Sequence, residues 1–224
     1  MADTLEKLLQ NPHLWRGRDQ ANTPGWQGLP SGYPKLDRYL PGGGWPRHAL
    51  TEILLEHYGM GELQLLMPAL ARLSKPEGRE AARQPEDSEA ADDAEAGWIA
   101  WIAPPFQPYP PALLQWGINL SQVLIVRPRQ ESETLWAAEQ ALSSGNCAAV
   151  LMWLDTLDDY SSRRLQLAAE KGQSWAIAFR PLKALAQASA AVLRIQLTAG
   201  EKGTDLGILK SRGGRPAVVR DYAG

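Results

Sequence analysis

With 224 residues, 44% hydrophobic content and a formal net charge of −2, the chain is long enough for one substantial core with appendages. Its lack of a run of about 18 apolar residues, and the charges in its opening MADTLEKLLQ, argue against membrane spanning and secretion, so a cytoplasmic location is expected. Cys147 is the single cysteine and cannot form an internal disulfide; the three histidines show no metal-ligand spacing.

In chain order, Leu5, Leu8 and Leu9 recur at helical spacing, and a Pro- and Gly-rich stretch follows over 11–46. Residues 1–25 are therefore read as an N-terminal helix and arm. A strand over 49–55 and a helix over 62–73 come next. The stretch 74–97 holds eight acids and three bases, with no aromatic or β-branched residue. Such a composition cannot offset its ordering entropy by burial, so it reads as a disordered acidic insertion. Strands over 97–102, 122–126, 148–154 and 175–179 then alternate with helices over 111–116, 132–142 and 159–171. This alternation predicts a mostly parallel sheet with helices on both faces. The last segments, AAVLRIQL, TDLGILK and PAVVRDY, read as strands between Gly-containing turns, an antiparallel extension. Residues 26–224 form the expected α/β domain, interrupted at 74–97.

In such a sheet the first strand-to-helix turn is the natural phosphate cradle. A working loop ends in Gly-Lys-Ser/Thr, because the lysine neutralises phosphate and the hydroxyl ligates magnesium. Here Gly59, Met60 and Gly61 are followed by Glu62. A carboxylate there suits the helix dipole and repels a triphosphate. Trp153 falls where magnesium needs an acid, with Asp155 two residues on, a relic or, by preference, a helix cap. Pro104 and Pro105 stand where a general base is needed, and neither can take a proton. No catalytic residue, metal ligand or cofactor is expected, and the chain reads as a non-enzyme.

Ser31, Gly32, Leu36, Asp37, Leu40, Gly43, Pro46, Glu52 and Ile53 match in order the pattern leading into the RecA core. The domain thus resembles a RecA-like fold over about residues 26–220. Within that superfamily, NPHLWRG, GMGELQLLMPALARL and LKSRGGRP resemble the ImuA family. The resemblance implies an accessory protein of the SOS response that supports translesion synthesis by binding ImuB and RecA, in the cytoplasm and near the nucleoid when DNA is damaged. It also implies that Lys210 and Arg212, one residue apart, face RecA-bound nucleotide. Arg215 extends that basic hairpin, which could hold phosphates, but no interleaved aromatics accompany it, so DNA contact is expected to be weak or indirect. Leu5, Leu8, Leu9 and Trp15 form the second candidate surface, for a partner groove, a homo-oligomer or the chain's own core. Of nine tryptophans, Trp98, Trp101, Trp136, Trp153 and Trp175 are assigned to the core, and Trp26 and Trp45 to an interface. Two alternatives remain: a SulA-like inhibitor capping the tubulin-like division protein FtsZ, and a residual weak ATPase. SulA proteins usually end earlier, so the LKSRGGRP ending favours ImuA over SulA.

Overall fold

The computed structural model describes residues 28–75, 97–201 and 203–223. The expected N-terminal helix with Leu5, Leu8, Leu9 and Trp15, the residue Trp26, and all but the ends of the acidic insertion lie outside the described residues.

Eight strands form one sheet in the order β3-β2-β4-β5-β1-β6-β7-β8. They are β1 (Leu50–Leu55), β2 (Trp98–Ile102), β3 (Val123–Val126), β4 (Cys147–Trp153), β5 (Trp175–Pro181), β6 (Leu193–Ala199), β7 (Thr204–Ser211) and β8 (Ala217–Val219). The pairings from β3 through β6 are parallel. β7 pairs antiparallel with β6, and β8 with β7. Central strands covered on both faces can be apolar throughout. LTEILL of β1 is buried at every position.

Among the described residues, five α-helices accompany the sheet: α1 (Pro34–Asp37), α2 (Glu62–Leu73), α3 (Pro110–Gln115), α4 (Glu131–Ser143) and α5 (Asp159–Lys171). α2 and α3 supply Leu65, Leu66, Leu70 and Leu113 to one core, with Ile53, Trp101 and Phe179. α4 and α5 supply Ala138, Leu142, Leu165 and Ala169 to a second core on the other face, with Val150 and Met152. The result is a three-layer α/β architecture, with helices on both faces.

The leading segment has a mechanical role. Asp37 Oδ1 accepts from the Ser31 backbone N–H at 3.0 Å, closing a loop before the short helix α1. Gly32 has φ +88°, and a Cβ there would lie 2.4 Å from Pro68 Cβ in α2. Only glycine allows the arm to press on that helix. Leu36, Leu40 and Trp45 are then carried into the core. Trp45 stacks on Trp175 at 5.4 Å, so it is a core residue and not the interface residue expected of the Gly/Pro arm. Burying a flat apolar ring of that size outweighs the loop-like local sequence.

Candidate functional site

The turn after β1 is filled from within. Gly59 and Gly61 adopt left-handed backbones, with φ +91° and +94°. Glu62, first residue of α2, folds back so that its Oε1 accepts the Gly59 N–H at 2.8 Å. The amide that a phosphate oxygen would take is thereby held by the chain's own nearly buried carboxylate. The Met60 carbonyl accepts from the Thr204 hydroxyl at 3.0 Å, and the Gly61 carbonyl from the Tyr222 hydroxyl at 3.4 Å. Tyr33 meets the Tyr222 ring edge-on at 5.1 Å. Lys35 Nζ donates to the Asp221 carbonyl at 2.9 Å, tying the arm to the C-terminal residues. Burial, the Tyr33 hydroxyl and the Glu62 carboxylate push the Tyr222 phenol far above its ordinary value. Burial, Asp155 and Glu62 push Tyr58 the same way.

At the carboxyl end of β4, Trp153 is sandwiched between Trp101 at 5.7 Å and Phe179 at 4.7 Å. An aromatic stack occupies the position where a magnesium-binding acid would stand. Asp155 is exposed and is not the cap of the following helix. Asp158 is the cap, because its Oδ1 accepts the Ser161 N–H at 2.6 Å. Leu157, in the connection between β4 and α5, is buried.

Lys210 lies at an exposed position of β7. Its Nζ donates to the Ser189 carbonyl at 2.8 Å. Burial and then the neighbouring Arg194 push its ammonium down, Glu52 opposing. Beside it lies a charged cluster centred on Glu52. The fully buried Glu52 on β1 accepts from Arg194 Nε at 2.7 Å, from Ser189 Oγ at 2.7 Å and from Arg180 Nη1 at 3.5 Å. Arg194 also donates to the carbonyls of Ala184 and Leu185, and Arg180 to Gln187 and the Leu157 carbonyl. The cluster fastens the β5–β6 connection to the sheet. Its signal in the sequence was a lone acid inside LTEILL and a lone arginine in each of the apolar strands β5 and β6. Arg212 and Arg215 lie exposed on the β7–β8 turn.

The other unanticipated feature is apolar. Twelve large hydrophobic side chains are exposed among the described residues, nine of them between Trp98 and Leu167. Phe106 (71% exposed), Tyr109 (69%), Leu114 and Trp116 follow one another in the β2–β3 connection. Trp136 is 64% exposed, and Trp98 is exposed too, although both were expected in the core. In α4, Thr134 and Ala138 turn inward, and a residue two positions from each points outward. The outer face of the α4–α5 pair carries Trp136 near Glu139, which pairs with Arg164. Arg164 in turn lies over the Tyr160 ring at 5.7 Å. Trp, Tyr and Arg are the residue types that dominate protein-binding hot spots.

The family model for the cell division inhibitor SulA matches residues 92–176. That segment contains all nine exposed hydrophobics just described. The cell division inhibitor SulA of Photorhabdus laumondii is 34% identical over 103 residues, 46% of this chain and 58% of that protein. The SulA of Yersinia pestis is 31% identical over 119 residues, 53% of this chain and 60% of that protein. The chain thus spans about three fifths of the length of these curated relatives. Among solved structures, SulA from Pseudomonas aeruginosa aligns with 26% identity over 61% of this chain and 99% of that chain, with a TM-score of 0.43.

These matches overturn the assignment to ImuA, and with it the role in translesion synthesis and mutagenesis through ImuB and RecA. NPHLWRG lies outside the described residues, and LKSRGGRP is the hairpin that completes the sheet edge, anchored where the Arg212 N–H donates to the Val192 carbonyl. Lys210, the residue expected to reach RecA-bound nucleotide, is exposed and donates to the Ser189 carbonyl.

Proposed function

We propose that this chain is a SulA-type inhibitor of bacterial cell division that acts by binding a protein target, the tubulin-like FtsZ, without catalysing a reaction. The observation that carries this is the coincidence of the SulA-matched segment 92–176 with nine of the twelve exposed large hydrophobics. Isolated exposed apolar groups are ordinary, but an aromatic series within one connection marks an interaction surface. We assign the target contact to Phe106, Tyr109, Leu114 and Trp116. The Glu62 carboxylate in the first turn and the Trp153 stack support a non-enzymatic role, because both occupy positions that nucleotide chemistry needs. A RecA-like class for the sheet is part of the same proposal, supported by six parallel strands with an antiparallel pair at one edge. So is a damage-response setting in the cytoplasm; among the described residues no helix is long and apolar enough to cross a membrane.

Inducible expression in a rod-shaped bacterium tests the proposal. Cells are expected to grow as undivided filaments and to recover division when Phe106→Ser, Tyr109→Ser and Trp116→Ser are combined. Normal division at high levels of folded wild-type protein would contradict the reading.

A further inference from the structure

The sheet has a second end, opposite the Glu62 turn, where the amino ends of β1, β4 and β5 meet the carboxyl ends of α2, α4 and α5. A cavity of about 320 Å³ opens there, within the size range of small-ligand sites. Its apolar lining comes from Trp175, Ala148 and Cys147 with Leu29 and Leu73. Its polar lining includes three potentially cationic side chains, Arg47, His48 and Lys171, and no Asp or Glu among the described residues. Trp175 is held rigidly, stacked on Trp45 with its ring N–H donating to Thr51 Oγ1 at 3.0 Å. Arg47 is half-buried, and burial pushes its guanidinium down from its ordinary value, as for a charge whose hydration is already reduced.

We propose that this cavity binds a compact organic anion, a carboxylate or phosphate head on an apolar body, with the head toward Arg47 and Lys171 and the body against Trp175. Two cations on separate elements, one from the segment before β1 and one from the last turn of α5, line the same cavity as these apolar side chains. Guanidinium and ammonium groups suit a carboxylate or phosphate, and the low-dielectric wall strengthens the attraction. The other role such cations can play is to neutralise helix carboxyl ends. That role predicts no preference among solutes, so the two are separable.

Calorimetric titration and thermal shift of the full chain with phenyl phosphate, benzoate, inorganic phosphate and benzylamine provide the test. Phenyl phosphate or benzoate is expected to bind saturably at one site, whichever head is preferred. Inorganic phosphate should bind more weakly, and benzylamine not at all. Lys171→Glu changes an exposed residue at the rim and is expected to leave the fold intact while weakening anion binding at least tenfold. Arg47→Gln should weaken it comparably. Equal response to benzylamine, undiminished binding by both variants, or no saturable binding of either aromatic anion at millimolar concentration would overturn the proposal. None of these outcomes bears on filament formation, so the division-inhibitor reading stands or falls separately.

Discussion

Replacing Glu52 by glutamine keeps the shape of the side chain and removes the one negative charge at the centre of a buried cluster. Arg180 is fully buried, Arg194 nearly so, and Lys210 lies close enough to be depressed by Arg194. Glu52→Gln would leave cations facing one another with little water to screen them. Breaking a buried ion pair from one side costs about 3 to 5 kcal/mol, against a total of 5 to 15 kcal/mol for an ordinary domain. For a domain near 200 residues this is a fall in Tm of roughly 10 °C. The exposed Arg163–Asp159 pair, one helical turn apart in α5 at 2.8 Å, sets the contrast, since its loss should cost below about 0.5 kcal/mol. Replacing Glu52, Arg180 and Arg194 together by leucine or methionine should be far milder than the single change, because no uncompensated charge remains. Urea unfolding followed by circular dichroism measures all three. A Glu52→Gln change within about 1 kcal/mol of wild type would refute the electrostatic account of how the β5–β6 connection is held.

Gly32→Ala places a Cβ against Pro68 in a left-handed backbone and should cost about 2 kcal/mol or more, read by the same unfolding curves. The phenols of Tyr222, Tyr58 and Tyr33 are all raised above their ordinary value of 10.0. Their neutral forms are favoured in the fold, so the stability they confer is complete below about pH 10 and is lost as pH rises beyond it. Absorbance at alkaline pH should show tyrosinate formation coincident with unfolding, and Tyr222→Phe should remove part of that alkaline loss. Calorimetry with ATP and magnesium should give no binding at micromolar nucleotide. A saturable exchange of heat there would mean that Glu62 leaves the turn.

Most of the sheet was legible because each strand is a short apolar run between turn signals. The boundaries of α2 and α5 were read at their observed residues, since Gly61 and Gly172 flank them unambiguously. The β7–β8 extension was legible from the switch to closely spaced strands. Side-chain direction was not. Trp45 sits in a Gly/Pro-rich arm and yet stacks in the core, while Trp136 sits in a helix and points to solvent. Local sequence gives a residue its element, whereas the packing partner across the sheet decides which face it buries. The Glu52 cluster was missed for the same reason. Its members are separated by 128 and 142 positions and become neighbours only through the order β5-β1-β6. The C-terminal hairpin LKSRGGRP pointed to ImuA, whereas the segment that matches a family model is 92–176.

In the proposed function, the aromatic series of the β2–β3 connection binds a division protein. The most direct measurement of this is the affinity of the purified chain for purified FtsZ, compared with the Phe106→Ser, Tyr109→Ser, Trp116→Ser variant at matched stability. Wild type should bind saturably and the variant at least 30-fold more weakly, the loss expected when hot-spot aromatics worth about 2 kcal/mol or more are removed. Equal binding by the two proteins, or none by wild type, would contradict the account.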